Sequence, residues 1–202
     1  MKLYEHSPFP NPRRVRVFMA EKGIDCQRVE IDLPAGEHRG EDFKAKNPLA
    51  GVPVLELSDG THIAETQAIC HYLEAIQPEP PLLGRGAKEK AVVEMWQRRI
   101  EQNLFERLAT YFHLATPGLG ALEPHRNQDH GEYCKAQALR MMELLDRELA
   151  AREFIAGDYS VADITALCAL DFAQALDLEW PASFVNLNAW HERLSQRPSA
   201  AA

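Results

Sequence analysis

Residues 47–66, NPLAGVPVLELSDGTHIAET, hold the local signals that decide the fold of this 202-residue chain. The apolar segment 53–57 and the short segment 62–64 flank Ser58-Asp59-Gly60, and Asp-Gly tolerates the positive φ angles of a tight hairpin turn. Glu65-Thr66 follows directly and precedes a segment whose apolar residues recur at helical spacing. The stretch therefore predicts a β-hairpin that leads into a helix.

The residues before this stretch predict two strands separated by a helix. Residues 2–5 form a short strand candidate, and Asn11-Pro12 supplies an N-cap residue followed by a proline at the first helical position. Apolar side chains then follow at helical spacing until Gly23, which ends the helix, and residues 26–31 alternate as a second strand. A short helix is predicted at 41–46. The first eighty residues therefore have the order βαβ followed by ββα.

The segment QPEPPLLGRG, residues 77–86, holds three prolines and two glycines and is the best linker candidate in the chain. Every segment after it has helical periodicity, with a break at 116–118. We predict an α/β domain over residues 1–78, a linker over 79–86 and an all-helical domain over 87–202.

Composition excludes several classes of protein. Lysine and arginine total 22 and aspartate and glutamate total 30, a net charge of −8, so a nucleic-acid partner is not expected. The four cysteines form no C-x-x-C pair, which argues against a zinc ribbon or a dithiol redox site, and no metal site is predicted. No apolar stretch reaches the roughly 18 residues of a membrane span. We expect a reduced, cytoplasmic protein without a membrane partner.

Four segments, in their order along the chain, resemble segments of the cytosolic glutathione transferase family. They are Arg14-Val15-Arg16 on the first helix, NPLAGVPVL at 47–55, the pair Glu65-Thr66 and GDYSVADI at 157–164. The second is similar to the family's N-P-x-x-x-V-P-x-L segment and the third to its Glu-Ser pair. The resemblance implies a thioredoxin-like N-terminal domain that binds glutathione, and an all-α C-terminal domain that forms the electrophile side of the site.

The resemblance also implies which residues contact glutathione, the co-substrate. In the family the proline at Pro53 is cis, and the backbone of Val52 pairs with the ligand as an added strand; alone, Val52-Pro53 predicts only the start of a strand. Glu65 would accept the ammonium group, while Thr66 and the helix N-terminus bind the carboxylate of the γ-glutamyl end. Alone, this pair would merely start a helix. His38 would meet the glycine carboxylate, or lie in a solvated loop.

The position at which the family activates the thiol departs from the usual pattern. Members use a Tyr, Ser or Cys whose hydrogen bond stabilises the thiolate. Aligning the chain on Arg14-Val15-Arg16 places Phe9-Pro10 where cysteine-type members have Cys-Pro. Phe9 donates no hydrogen bond, so it is assigned to the ligand site without a catalytic role. Tyr4 aligns too early and is expected to be a packed strand residue.

Three residues remain as candidates for thiolate stabilisation. Asn11, at the presumed N-cap, would act as an amide donor beside the free N–H groups of the first helix, which resembles a bacterial branch that uses an asparagine there; capping alone is the alternative. Ser7 is the second candidate, or only supports a turn. His113, in YFHLATPG, resembles a theta-like fungal and bacterial branch in which the helical domain holds a water; a core or surface histidine is the alternative.

The segment 157–164 also has a structural interpretation. Ser160 and Asp163 form an S-x-x-D capping box at the start of a strongly apolar helix. We therefore assign Asp163 to folding and not to acid catalysis.

Together these features predict a glutathione transferase that conjugates glutathione to small hydrophobic electrophiles, the detoxification chemistry of the family. One alternative is a glutathione-dependent disulfide reductase or peroxidase, which needs a thiolate but no electrophile pocket. Another is a non-catalytic glutathione-binding or regulatory protein of the same fold, an alternative that the missing nucleophile partner keeps open. The resemblance further implies a homodimer.

Overall fold

A four-stranded mixed sheet organises the N-terminal part of the chain in the computed structural model, which describes residues 1–202. The strand order is β2-β1-β3-β4, with β1 parallel to β2 and antiparallel to β3, and β3 antiparallel to β4. The strands are β1 (Lys2–Glu5), β2 (Gln27–Glu30), β3 (Val54–Glu56) and β4 (His62–Ala64), and the helices are α1 (Pro10–Lys22), α2 (Glu41–Lys44) and α3 (Thr66–Ile76). The predicted βαβ-ββα order and α/β class are confirmed.

Alternation along the strands gives this sheet two buried faces. Leu3 and Leu55 are opposite partners on β1 and β3, and both are fully buried. The next pair, Tyr4 and Val54, points to the other face and packs in one cluster with Phe43 of α2. Both faces of the central strands therefore contribute to a core.

The C-terminal part is all-helical, as predicted. Its helices are α4 (Ala87–Ile100), which continues through a π-helical segment, Glu101–Phe105, into α5 (Glu106–Ala115), then α6 (Gln128–Leu149), α7 (Val161–Ala175) and α8 (Val185–Ser195). Trp190 and Met142 lie in its large apolar core. The chain divides into two units, Met1–Pro80 with Ala202 and Pro81–Ala201. No helix combines the length and the apolar character needed to cross a membrane.

The capping box at the start of α7 is present. Asp163 is fully buried and accepts hydrogen bonds from the backbone N–H groups of Ile155 at 3.0 Å and Ser160 at 3.1 Å, and from the indole of Trp190 at 3.3 Å. Burial raises the pKa of Asp163 to about 6 against the opposing effect of these donors. Every one of these contacts lies inside the helical unit, so Asp163 has the folding role predicted for it.

Candidate functional site

One end of the sheet gathers the segments that the sequence singles out. The register pairs Tyr4 with Val54 and Val54 with Ala64, so β1 and β4 end where β3 begins; β2 ends beside β1. The candidate residues that follow or precede these strand ends are Ser7, Val52, Pro53, Glu65 and Thr66. The sheet therefore places loops that are distant in sequence at a common edge.

Helix α1 begins two residues earlier than predicted, and this changes which donors it offers. Its first residue is Pro10 and its N-cap is Phe9, so the prediction of Asn11 as N-cap is wrong. The reason is that Pro10 also fits the first helical position, and the carbonyl of Phe9 accepts the Arg13 N–H at 3.4 Å. Because Pro10 and Pro12 have no N–H, Asn11 alone supplies a free backbone donor in the first turn.

The two arginines of the Arg14-Val15-Arg16 run each hold one candidate residue. Arg14 donates from Nη1 to Oδ1 of Asn11 at 3.1 Å. Arg16 donates from Nη2 to the carbonyl of Ser7 at 3.0 Å and is ion-paired with the buried carboxylate of Glu5. The run that carries the family resemblance therefore braces the loop between β1 and α1.

Phe9 is partly buried and packs, like Val52, against the apolar cluster on the α2 face of the sheet. The ring of His6 meets the Phe9 ring edge-on, with centroids 4.8 Å apart. The hydroxyl of Tyr4 donates to Glu56 at 2.5 Å, and this hydrogen bond raises the pKa of Tyr4. Tyr4 is thus a packed strand residue with a committed hydroxyl.

The segment before β3 is a braced loop with an unpaired backbone. The buried side chain of Asn47 donates to the carbonyl of Gly51 at 2.9 Å and accepts the Leu49 N–H at 3.1 Å. The Val52-Pro53 peptide bond is cis, in agreement with the family pattern. The backbone N–H and C=O of Val52 take part in no hydrogen bond within the chain. An extended ligand can therefore pair there.

Glu65 adopts an unusual backbone conformation at the start of α3. Its φ is 67° and its ψ is 120°, a region that non-glycine residues rarely occupy, and its exposed side chain makes no cap for the helix. Thr66, the first helical residue, is only 6% exposed. The N-terminus of α3 is left without a side-chain cap, so it can receive an anion.

His38 is buried, so the alternative of a solvated loop is wrong. It lies in a 3₁₀ turn, Glu37–Arg39, and is 7% exposed. Arg39 donates from Nε to Nε2 of His38 at 3.4 Å, while Nδ1 is buried without a hydrogen-bond partner. Burial lowers the pKa of His38, and the nearby Arg39 and His6 add to this effect. A neutral His38 with Nε2 as acceptor has an unused N–H donor at Nδ1.

The helical unit contributes His113, near the end of α5, with a partner that sequence reasoning missed. Nδ1 of His113 contacts the carboxylate of Glu123, and the His113 side chain is 45% exposed, so it is not a core residue. Glu123 also accepts the Leu119 N–H at 2.8 Å. Glu123 follows a break between helices with no periodic or motif signal, so nothing in the sequence marked it.

Comparisons with known proteins identify the class. Residues 7–76 match the family model of the glutathione S-transferase N-terminal domain, and residues 100–198 match that of the glutathione S-transferase C-terminal domain. The chain is 42% identical to glutathione S-transferase 2 of Saccharomyces cerevisiae over 98% of this chain and 87% of that protein. It therefore belongs to the glutathione S-transferase family, whose enzymes use glutathione as co-substrate. The predicted family, fold and enzyme class are confirmed.

Two solved structures are similar to this chain over nearly its whole length. The crystal structure of Gtt2 from Saccharomyces cerevisiae is 42% identical, with a TM-score of 0.96 over 100% of this chain and 99% of that one. A glutathione S-transferase domain-containing protein of Marinobacter aquaeolei VT8 is 46% identical, also with a TM-score of 0.96, over 98% of this chain and 99% of that one.

Proposed function

We propose that this chain joins the thiol of glutathione to small hydrophobic electrophiles, with residues 1–78 binding glutathione, 79–86 as linker and 87–202 forming the electrophile side. The proposal rests on two features that lie together at one edge of the sheet. There, an unpaired backbone at Val52 and the uncapped start of α3 at Glu65 lie at one end of the same hairpin. Glutathione has a peptide backbone, which can pair with Val52, and a zwitterionic end, which matches Glu65 and the start of α3.

The glutathione contacts follow from the donors and acceptors available. Val52 pairs with the peptide backbone of glutathione, and Glu65 accepts its ammonium group. Thr66 and the N-terminus of α3 bind the γ-glutamyl carboxylate. The unused N–H of His38, beside Arg39 in sequence, donates to the glycine carboxylate.

Thiol activation falls chiefly to Asn11 in this proposal. The thiol loses its proton to water, and the side-chain amide and backbone N–H of Asn11 stabilise the thiolate that remains. The thiolate sulfur then attacks the electrophilic carbon, forming the C–S bond as the leaving group departs with its electron pair. Ser7 is a weaker candidate because its backbone N–H and carbonyl form hydrogen bonds with Glu30 and Arg16, whereas its hydroxyl forms none. His113, oriented by Glu123, is the other candidate.

Isothermal calorimetry with glutathione and a conjugation assay with a chloronitrobenzene test the proposal together. We expect saturable binding and formation of the thioether. Binding without turnover of any electrophile would select the non-catalytic alternative. Binding with reduction of a disulfide or peroxide, but no thioether, would select the reductase or peroxidase. No binding at all would remove every glutathione-dependent function.

The assembly and compartment are also part of the proposal. We infer a cytoplasmic homodimer in which the α/β unit of one protomer meets the first long helix of its partner. Two large apolar side chains support this arrangement: Leu49, 78% exposed in the loop before β3, and Met95, 39% exposed on α4. Exposed apolar groups of this size favour burial in an interface.

A further inference from the structure

A buried arginine lies behind the proposed thiolate donor. Arg14 is only 3% exposed, and its Nη1 donates to Oδ1 of Asn11, three residues earlier on α1, at 3.1 Å. The positive end of a helix favours anions, and a cation near it opposes the helix dipole. The first turn of α1 holds no acidic residue that would offset this charge. The contact between Arg14 and Asn11 therefore forms against the helix dipole.

The contact fixes the orientation of the Asn11 carboxamide. A guanidinium group has donors and no acceptor, so it accommodates only the oxygen of the amide. With Oδ1 held by Arg14, the NH₂ group of Asn11 must turn away from the arginine. A positive donor on Oδ1 also polarises the amide, which makes its N–H groups stronger donors.

We propose that Arg14 is a positioning residue, which holds Asn11 with its NH₂ group toward the thiol of bound glutathione. The inference rests on the proposed transferase function and on Asn11 as the thiolate donor. The residues on both sides of Asn11 are prolines, which have no backbone N–H. No other residue of the first turn can therefore donate a hydrogen bond to the thiolate in place of Asn11. The orientation of this single amide then controls how much of the glutathione is ionised at neutral pH.

The test is a double-mutant cycle on Asn11→Ala and Arg14→Met. The pKa of the bound thiol is measured from thiolate absorbance during a pH titration, independently of turnover, and conjugation rates are measured beside it. We expect each single variant to raise the thiol pKa and to slow conjugation at neutral pH about tenfold. The double variant should be no slower than either one, because both changes remove the same oriented donor. Glutathione affinity should change little.

Three further variants separate positioning from support of the fold. Arg14→Lys keeps one donor near Oδ1 and should recover part of the rate. Arg13→Met, the same change at the neighbouring arginine, should leave the thiol pKa unchanged. Asn11→Asp leaves Arg14 in place and still accepts its hydrogen bond, but its side chain has no N–H and brings a negative charge to the thiolate. It should therefore be slower than Asn11→Ala.

The possible results distinguish a failure of this inference from a failure of the proposed transferase function. A normal thiol pKa in Arg14→Met, with a raised one in Asn11→Ala, overturns the role of Arg14 and leaves the transferase function intact. A normal thiol pKa in Asn11→Ala overturns both the Asn11 assignment and this inference. If Arg14→Met does not fold, wild-type rates in Arg14→Lys together with wild-type rates in Asn11→Asp overturn the inference. Failure of the wild type to bind glutathione overturns the proposed function itself.

Discussion

At the residue scale, two prolines determine what the start of α1 can offer a ligand. A helix N-terminus normally presents several N–H groups, and an anion there benefits from all of them. Pro10 and Pro12 remove two, and the N–H of Phe9 already bonds to the carbonyl of His6. Thiolate stabilisation is therefore concentrated on Asn11. This conclusion requires the correct helix start, because a helix capped by Asn11 would expose the N–H groups of Arg13 and Arg14 instead.

Glu65 carries a conformational cost that points to a ligand. A non-glycine residue at φ 67° and ψ 120° is strained by about 1–3 kcal/mol. Glycine at this position would relieve the strain. The Glu65 carboxylate neither caps the helix nor is buried, so it makes no contact within the fold that offsets the strain. The carboxylate is therefore expected to be needed for binding and not for stability.

Glu65→Gly and Glu65→Ala test this separation of roles. We expect Glu65→Gly to raise the free energy of unfolding by about 1 kcal/mol, because the strain disappears. Both variants should weaken glutathione binding by roughly 2–3 kcal/mol, the loss of a charge-assisted contact. Chemical denaturation and calorimetry measure the two quantities.

The control for Glu65 is Glu41→Ala, which removes another exposed carboxylate from the same unit. It should leave glutathione affinity unchanged. Unchanged affinity in Glu65→Ala, or a lower stability of Glu65→Gly, would contradict the assignment.

At the scale of elements, local pattern predicted the fold well because each element has its own signal. Gly23, with φ 63°, ends α1 as the sequence indicates, and the Asp-Gly turn joins β3 to β4. The start of α1 was misplaced because two prolines compete for the same position. Once Pro10 is the first residue, the Asn11–Arg14 pair lies at the i, i+3 spacing of a helix and becomes predictable.

Contacts between distant segments were beyond the sequence. Nothing local marks His38 as buried, because its burial depends on how the folded chain surrounds its 3₁₀ turn, with the distant His6 nearby. Nothing local pairs His113 with Glu123, since the chain between them has neither helical nor strand periodicity. The residue types were visible in the sequence, whereas their partners and their burial required the folded chain.

Helix α7 begins with a buried carboxylate whose ionisation affects stability. The pKa of Asp163 is raised from 3.8 to about 6, so the folded chain binds a proton more tightly than the unfolded chain does. This stabilising contribution is complete below pH 4 and is lost as the pH rises through 6. Relative to Asp163→Asn, which cannot titrate, the unfolding free energy of the wild type should fall by roughly 2.5 kcal/mol between pH 4 and 7.

Urea denaturation across this pH range measures the difference. Glu143→Gln, at an exposed carboxylate of α6, is the control and should show no comparable trend against the wild type. A constant difference between the wild type and Asp163→Asn over the whole range would mean that the donors around Asp163 cancel the effect of its burial on the pKa.

The turn after α5 is built around Glu123, and glycine makes room for it. A Cβ atom on Gly118 would lie 2.3 Å from Oε2 of Glu123, at a φ of 55°. Gly120 has a similar φ of 62°, but a Cβ atom there would meet nothing within 4 Å. Gly118→Ala should therefore lose about 1 kcal/mol more stability than Gly120→Ala, because only the first displaces Glu123.

The position of the His113 ring reports on the same displacement. Gly118→Ala should change the ¹H–¹⁵N NMR signals of the His113 imidazole, while Gly120→Ala should leave them near those of the wild type. Equal losses of stability and equal spectra in the two variants would show that Glu123 does not require the space at Gly118.

At the scale of the whole molecule, the net charge of −8 would repel an anionic ligand. Binding of glutathione therefore depends on local geometry: the uncapped start of α3, and the buried His38 near His6 and Arg39. These groups lie close to their targets, and their hydrogen bonds are less screened by salt than a long-range field is. Added salt should therefore change the affinity for glutathione only a little.

The exposed Leu49 is expected to lie in the dimer interface, and Leu49→Asp tests this. Asn47 braces the loop that presents Leu49, so the backbone at Leu49 is held in place before any partner binds. Burying a leucine contributes about 1.5–3 kcal/mol, and a two-fold dimer buries it twice. We expect the wild type to sediment as a dimer of 22.8 kDa protomers and Leu49→Asp to weaken that dimer at least a hundredfold.

The control is Val185→Asp, at another exposed apolar residue on α8, which should leave the dimer intact. A monomeric wild type, or a dimer as tight in Leu49→Asp as in Val185→Asp, would exclude this loop from the interface.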